Sequence, residues 1–434
     1  MTGLQSLEAR SALGGFFAVL SYIAASSAWI HRGTQRSFDR VVNAAFIVSR
    51  FSLYITAFFI LRLPMRGDIP SYYAPEAQAV LHHQLPYRDF PCSYAPLHPF
   101  LDAALLLLWH SPLVIALFAI LVECFLLPVW LRAARLFASE RAVRIAAVLY
   151  VTSAISLQFV TIDGQDNVLI ALLLGLGVLV LARHRAVLSG VLVALGAVLV
   201  KFLPLLFAPA FFLACSRRLR WLFGFVAALV VGYGYFAFRH LPLLFPLQFE
   251  STSRTASDLP YLIEGLFNLN GSGAVEDSIL ALALLVILAL LARVTLRRPA
   301  GDSAAATATA LRVITFGCAA LNLTLLLFSK KSWPPYLVLT LFPLCLLIGQ
   351  GSRFRLRVAG FVLFNAVAVT SHSMWATVFG QFLAPEFHHS LTTLQPTPFL
   401  FLIMQVALIT GYAWLLAESI SAFRSPGRLH TDAR

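Results

Sequence analysis

Apolar segments follow one another along the whole chain, separated by short loops rich in arginine, and this pattern constrains the fold most strongly. An α-helix needs about 20 apolar residues to cross the hydrocarbon core of a bilayer, because each residue adds about 1.5 Å. This length requirement predicts an all-α polytopic membrane protein with about thirteen transmembrane helices. The predicted helices span residues 13–30, 41–63, 112–132, 143–160, 167–183, 187–201, 203–215, 221–238, 277–294, 309–328, 334–350, 356–372 and 397–417.

The composition agrees with this interpretation. Apolar residues make up 59% of the 434 residues and charged residues only 12%, which is about half the share typical of soluble domains. An ordinary soluble enzyme is therefore excluded, and residues 1–434 are predicted to form a single transmembrane domain. We expect residues 13–30 to be a retained helix. The alternative is a signal peptide, because the small residues at 24–28 match the pattern of a cleavage site.

Loop charge predicts which side of the membrane each loop faces. The arginines cluster in short loops, which places those loops in the cytoplasm under the positive-inside rule. The net charge of +13 is explained in this way without a nucleic-acid partner. Residues 97–109 are apolar but too short to span comfortably, and we place them as an interfacial helix. The outer side then carries the long loops 64–110 and 240–276 and an acidic turn at 161–167.

The first long loop, residues 64–110, is the most informative segment. It places Asp68 directly after a membrane helix, where apolar surroundings can raise the basicity of a carboxylate to that of a general base. The alternative interpretation is a polar, aromatic loop at the membrane interface. The candidate sugar- or acceptor-binding residues of this loop are Tyr73, Tyr87, Arg88, Asp89 and Tyr94.

Asp163, Gln165 and Asp166 lie in the acidic turn 161–167, directly before a predicted helix. Carboxylates are favoured at helix N-termini, so helix capping competes with a functional role for them. The predicted topology places this turn on the same side as Asp68. The two acidic segments are therefore candidates for one shared cavity and one shared substrate.

Lysine occurs at only three positions, Lys201, Lys330 and Lys331, and all three are predicted on the outer side. The positive-inside rule does not favour lysine there. Their position favours an anionic ligand, and phosphate is the expected anion, with Arg254 as a further contact. For Lys201 the alternative is a side chain that snorkels to the interface.

Trp333 and Tyr336 follow the lysine pair and are candidate sugar-binding rings, although Trp and Tyr at an interface are also common membrane anchors. His372, His388 and His389 lack the spacing of a zinc site on one helix face. We therefore expect solvated loop histidines and no metal site there, with a role in the acceptor site as the alternative.

A carboxylate and several cations beside an apolar bundle suit group transfer from a lipid phosphate. A transporter or flippase for a polyprenyl-linked sugar is the rival, and Arg50 and Glu123 inside predicted helices keep it open. The alternative interpretation of these two residues is an ion pair within or between helices. The chain has no phosphate-binding Gly-Lys loop, which disfavours ATP-driven catalysis.

Five motifs succeed one another between about residues 41 and 350. They are Asp68 with Tyr73; Leu85-Pro86-Tyr87-Arg88-Asp89-Phe90 with Tyr94-Ala95-Pro96; Gly164-Gln165-Asp166-Asn167; Gly190 to Lys201 with Pro204; and Ser332-Trp333-Pro334-Pro335-Tyr336. In this order they resemble the C superfamily of membrane glycosyltransferases. Within it the chain is similar to glycosyltransferase family 87, the polyprenol-phosphate-mannose-dependent mannosyltransferases of bacteria.

The resemblance implies the glycosyltransferase C-type fold and an inverting transfer. A sugar, expected to be mannose, would move from a polyprenyl-phosphate donor to a glycolipid, glycan or protein acceptor. The resemblance also implies a multi-pass protein of the cytoplasmic (inner) membrane with its active site on the outer face. A transferase for a different sugar, such as a pentose, is the second alternative.

By position, Asp68 resembles the catalytic base of the family's first loop. Many members of the superfamily carry an acidic pair there, whereas this chain has Asp68-Ile69-Pro70. No cofactor is therefore expected, and the need for a divalent metal stays open.

Overall fold

The computed structural model describes residues 3–269, 271–297, 303–351, 353–375, 384–393 and 396–424, and these ranges contain helices and no β-strand. The all-α prediction is confirmed for them, while parts of the predicted single domain lie outside the described residues. The α-helices are α1 (Gly3–Ser26), α2 (Gln35–Ile55), α3 (Ala74–Leu81), α4 (His98–Leu108), α5 (Leu113–Ala134), α6 (Glu140–Val151), α7 (Asn167–Leu181), α8 (Ala186–Leu199), α9 (Leu203–Ala214), α10 (Arg218–Phe238), α11 (Phe245–Thr252), α12 (Leu259–Phe267), α13 (Gly273–Leu296), α14 (Ala304–Phe328), α15 (Leu341–Gln350), α16 (Phe354–Met374), α17 (Ala384–Thr392) and α18 (Pro396–Arg424).

Short helices of other pitch connect several of these elements. Within the described ranges, π-helical turns lie at Thr56–Ile60, Ile69–Tyr73 and Ser156–Ile162. 3₁₀ helices lie at Ala28–His31 and Pro334–Thr340. The second 3₁₀ helix begins at the Pro-Pro pair because proline lacks the N–H that the first turn of a helix leaves unused.

Fewer helices than predicted are long enough to cross a membrane. Among the described residues, seven apolar helices meet the length, namely α2 with its π-helical extension, α5, α10, α13, α14, α16 and α18. An eighth span results if α6 and the following π-helix, bent by 53° between them, count as one. Thirteen crossings are therefore not confirmed. A helix does occupy every predicted segment, but α7, α8 and α9 have only 15, 14 and 12 residues, below the ~20 that a crossing needs.

The helices pack around α14, which is mostly buried, whereas α13 lies at the periphery and exposes most of its apolar surface. The closest approach joins α8 to α10. A Cβ added to Gly190 would lie 2.1 Å from the Trp221 carbonyl oxygen, and one added to Gly224 would lie 2.1 Å from that of Val187. Glycine is needed at both positions because only a missing side chain lets the backbones come this close. This contact fixes α8, whose end leads directly into Lys201.

A buried ion pair stabilises the break after α6. Arg50 on α2 pairs with Glu123 on α5 at 3.4 Å, and both side chains are fully buried. Arg50 also donates to the carbonyl oxygens of Tyr150, at 3.3 Å, and Val151, at 2.6 Å. These carbonyls belong to the last turn of α6, which lacks the i+4 N–H partners that a continuing helix would supply. The predicted pair between helices is thereby confirmed, and it supports the bend that leads to the acidic turn.

Candidate functional site

One cavity of about 1160 Å³ gathers most of the predicted site residues. Its walls come from the first long loop, the acidic turn, the second long loop (240–276) and the segment that joins α14 to α15. The predicted residues that line it are Asp68, Tyr94, Asp163, Gln165, Lys201, Arg254, Lys330, Lys331, Trp333 and Tyr336. Side chains distant in sequence thus share one space.

Asp68 stands at the start of the π-helix Ile69–Tyr73 and is half-buried in the cavity wall. The Gln165 side-chain amide donates to Asp68 Oδ2 at 3.0 Å, and the Tyr73 hydroxyl donates to the same oxygen at 3.4 Å. Asp68 Oδ1 accepts no hydrogen bond from any described residue. The carboxylate is therefore held in place through Oδ2, while Oδ1 can accept a hydrogen bond from a ligand in the cavity.

Gly164 brings the acidic turn against the Asp68 segment. Its φ of +63° is a left-handed conformation that favours glycine. A Cβ at this position would lie 2.3 Å from Ile69 Cδ1 and 3.2 Å from Ala116 Cα. The absence of a side chain therefore allows the contact that places Gln165 within hydrogen-bond distance of Asp68.

Asp166 lies behind the cavity wall rather than in it. Its Oδ2 is 2.9 Å from His98 Nε2, and His98 Nδ1 is 3.5 Å from Asp102 Oδ2. Burial acts to raise the pKa of Asp166, but Lys201 and His98 outweigh it and hold the pKa below its ordinary value. Asp166 is thus an ionised carboxylate that attracts the Lys201 ammonium group from behind the cavity wall. The sequence analysis missed His98 and Asp102, although their i, i+4 spacing on one helix was a signal.

Two of the lysines lie over aromatic rings. Lys201 Nζ is 4.6 Å from the centre of the Tyr94 ring and 5.6 Å from that of Tyr336. Lys331 Nζ is 5.5 Å from the ring centre of Phe249. Cation–π contacts of this kind attract an ammonium group and hold it beside the ring, and each ammonium group carries three N–H donors.

Arg254 and Lys330, the other two predicted phosphate contacts, form ion pairs with carboxylates. Arg254 lies 2.8 Å from Glu264 and 3.1 Å from Glu276, and Lys330 Nζ lies 2.7 Å from Asp277. Their charges are offset by these partners, although both side chains line the cavity. The sequence analysis missed the partners because α12 and α13 meet Arg254 only after folding.

Besides Tyr73, three predicted residues of the first long loop do not line the cavity, and unlike Tyr73 they make no hydrogen bond to Asp68. Tyr87 is buried, donates to the Tyr94 carbonyl oxygen and packs edge-on against Phe236. Arg88 and Asp89 form a surface ion pair at 2.7 Å. Asp89 also accepts from the backbone N–H of Leu85 at 2.7 Å. The two polar residues therefore stabilise their own turn. From the sequence alone, a charged pair of this kind cannot be told apart from binding residues.

The remaining predicted residues take supporting positions. Asp163 is buried and accepts from the Gln158 amide at 3.1 and 3.0 Å. Tyr73 is fully buried and reaches the site only through its hydrogen bond to Asp68. His372 lies in the last turn of α16 and lines the cavity against Trp333, with ring centres 5.7 Å apart, so it is not a solvated loop residue.

The other predicted loop histidines lie on α17. His388 Nδ1 lies 2.9 Å from the Gly265 carbonyl oxygen, and His389 is exposed. Across the ranges that the structure describes, no group of three or more His, Cys, Asp or Glu side chains is placed to hold a metal ion.

Comparison with known proteins adds an independent observation. No curated protein matches the chain. The sequence model of glycosyltransferase family 87 matches residues 93–329, more than half of the 434 residues. The matched region contains Lys201 and the acidic turn, whereas Asp68 precedes it and the lysine pair follows it. This membrane protein therefore belongs to glycosyltransferase family 87.

Proposed function

We propose that this glycosyltransferase moves a sugar, expected to be mannose, from a polyprenyl-phosphate donor to an acceptor hydroxyl with inversion at the anomeric carbon. We further propose that the reaction takes place at the outer face of the inner membrane. The observation that carries the proposal is the shared cavity, in which Asp68 lies with Lys201 and Lys331.

The reaction would be a single displacement. Asp68 accepts the proton of the acceptor hydroxyl through Oδ1, while Gln165 and Tyr73 hold Oδ2. The acceptor oxygen forms a bond to the anomeric carbon as the bond from that carbon to the phosphate oxygen breaks. Phosphate is a good leaving group, so the step needs no general acid.

The departing phosphate carries the negative charge that the site must stabilise. Lys201 and Lys331 are the best placed cations, because both line the cavity with their ammonium groups over aromatic rings. Donors aimed at the developing charge are typically the largest single contribution to such a transition state. Trp333 lines the same cavity and offers an apolar surface to the sugar.

The rival interpretation as a transporter gains no support from Arg50 and Glu123. These ionisable residues inside predicted helices form a pair that stabilises a helix break. The two residues are fully buried, as expected for a structural pair rather than for a substrate path.

The test is transfer of radiolabelled sugar from polyprenyl-phosphate-mannose to a membrane-lipid extract by the purified protein. We expect Asp68→Asn to lower the turnover by about 100-fold or more, because general-base catalysis contributes this much. Donor binding should persist. Asp89→Asn, in the same loop but outside the cavity, is the matched control and should stay active.

Parallel arms decide the finer points. If the protein transfers sugar from a pentose-linked polyprenyl phosphate and not from the mannose-linked donor, the pentose is its donor sugar and mannose is not. Loss of activity in a chelator, with recovery after a divalent cation is added, would establish a metal requirement. Asp68→Asn with more than a few per cent of wild-type turnover would exclude Asp68 as the base.

A further inference from the structure

The cavity has a second end, remote from the groups that hold Asp68. We call it the Asp258 end and define it by Asp258, Tyr261, Glu264, Glu276 and Trp375, all of which line the cavity. Three of these residues come from the second long loop, which contains α12. Glu276 lies at the start of α13, and Trp375 directly follows the end of α16. The proposed single displacement uses none of them.

Besides the Glu276 carboxylate oxygens, which lie beside Arg254, three polar atoms at this end are buried and have no hydrogen-bond partner among the described residues. They are Asp258 Oδ2, Tyr261 Oη and Trp375 Nε1. Asp258 is fully buried and Tyr261 is 6% exposed. Buried polar atoms in proteins are nearly always paired, so three unpaired ones in a cavity wall indicate that a ligand pairs with them.

These groups are held in place by the surrounding structure. Asp258 Oδ1 accepts from the backbone N–H of Tyr261 at 2.8 Å and so caps α12. The Tyr261 ring stacks on Phe387 with the ring centres 5.6 Å apart. Trp375 packs edge-on against Trp333 at 5.0 Å. A ligand therefore meets groups that need little reordering, which lowers the entropic cost of binding.

The chemistry of the three atoms describes the ligand. Trp375 Nε1 only donates, whereas the Tyr261 hydroxyl both donates and accepts. Burial raises the pKa of Asp258 well above its ordinary value, which favours a neutral carboxyl that also donates and accepts. Sugar hydroxyls match this set, because each of them donates and accepts as well.

The charged neighbours argue against an anionic ligand. Glu264 and Glu276 both line this end, and the one guanidinium between them, that of Arg254, is shared by the two carboxylates. An anionic ligand would lie close to these two carboxylates, while the Arg254 guanidinium already pairs with both of them. Such like-charge contacts are unfavourable.

We propose that the Asp258 end binds the acceptor as an uncharged glycan, through hydroxyls that pair with Asp258, Tyr261 and Trp375. This inference rests on the proposed function, since an acceptor glycan must share the cavity with Asp68. It adds what the proposed function leaves open, namely the chemical class of the acceptor.

The test measures binding of two probe glycosides to the purified full-length protein in the absence of donor. Hexyl α-mannoside is the uncharged probe and hexyl glucuronide is the anionic one. We expect the mannoside to bind and the glucuronide to bind more weakly. Tyr261→Phe and Trp375→Phe should each weaken mannoside binding by about 3- to 10-fold, the effect of one hydrogen bond.

Tyr22→Phe on α1, whose tyrosine is exposed, is the matched control and should bind the mannoside as the wild type does. Thermal midpoints without ligand identify any variant that fails to fold. The inference is overturned if the wild type does not bind the mannoside, if the glucuronide binds equally well, or if both cavity variants bind normally.

The binding measurement and the transfer assay fail independently of each other. The proposed function would be contradicted if no sugar were transferred from the polyprenyl-phosphate donor. If the mannoside still bound and this binding depended on Tyr261, the Asp258 end would remain supported as a glycan-binding site. Transfer into the lipid extract, with mannoside binding unchanged in Tyr261→Phe and Trp375→Phe, would contradict the Asp258 end as the acceptor site.

Discussion

At the scale of single residues, the cations of the cavity differ in what surrounds their charge. Lys201 lies over Tyr94 and Tyr336, with the ionised Asp166 behind it. Lys330 instead contacts Asp277 at 2.7 Å, at a position where that carboxylate is more than half exposed. The same residue type therefore has two environments in one cavity, and they predict different consequences for the donor.

Lys201→Met is expected to raise the KM for the lipid donor by about 10- to 100-fold, the range for a hydrogen bond to a charged group. Lys330→Met is the matched control and should change this KM much less, because its charge is already paired. Steady-state kinetics with varied donor checks both variants. Equal effects of the two substitutions would contradict a special role for Lys201.

Glu76 on α3 makes stability depend on pH. Burial raises the pKa of this carboxyl to about 7, although His98 and Cys92 act to lower it. The Cys92 thiol donates to Glu76 Oε2 at 3.3 Å. A carboxyl whose pKa is higher in the folded state destabilises the fold once it must ionise. Stability therefore falls as the pH rises from the ordinary value of 4.5 through about 7.

Glu76→Gln should accordingly stabilise the protein above pH 7, by about 3 kcal/mol at most, and leave stability at pH 4 nearly unchanged. Glutamine keeps the shape and still accepts from Cys92. Thermal midpoints of the detergent-purified wild type and variant across this pH range measure the effect. A midpoint difference that does not vary with pH would show that Glu76 is not the titrating group.

At the scale of elements, the acidic turn and the Asp68 segment behave as one unit because Gly164 packs on Ile69. Gly164→Ala adds a Cβ that lies 2.3 Å from Ile69 Cδ1, and it also strains a positive φ by about 1 kcal/mol or more. We expect kcat to fall by at least about tenfold, because a displaced base loses alignment with the acceptor.

Ile69→Val removes the atom that collides with the new Cβ. The double variant Gly164→Ala with Ile69→Val should therefore recover part of the lost kcat, while Ile69→Val alone should have a small effect. Turnover at saturating donor and acceptor measures all three. A double variant as impaired as Gly164→Ala alone would mean that the strained φ, and not the contact with Ile69, causes the loss.

The elements themselves could be predicted to different degrees. The lengths of the apolar segments were enough to predict where these helices lie, since hydrophobicity is a local property of the sequence. The break between α6 and the π-helix Ser156–Ile162 could not be predicted, because it depends on Arg50, about 100 positions away in sequence. The short α8 was taken for a full span because its neighbour segments are equally apolar.

At the scale of the whole molecule, Asp68, Gln165 and the three lysines line one cavity, and the sequence had made the two acidic segments candidates for a shared cavity. What could not be predicted is which polar residues face that cavity. Asp89 lies in the same polar and aromatic loop as Asp68 but accepts a hydrogen bond from the backbone N–H of Leu85 in its own turn. Asp258 caps α12, and its second oxygen lies unpaired where α12 packs beside α17, an arrangement that the sequence alone does not show.

The sidedness of the cavity is the last prediction. Single cysteines at Ser251→Cys, beside the cavity, and Arg183→Cys, between α7 and α8, both occupy exposed positions. If the arginine-rich loops are cytoplasmic, an impermeant maleimide should label Ser251→Cys in right-side-out membrane vesicles and Arg183→Cys only in inverted ones. The wild type measures background, because its native cysteines are buried or partly buried. The reverse labelling pattern would place the cavity, and with it the proposed transfer, on the cytoplasmic side.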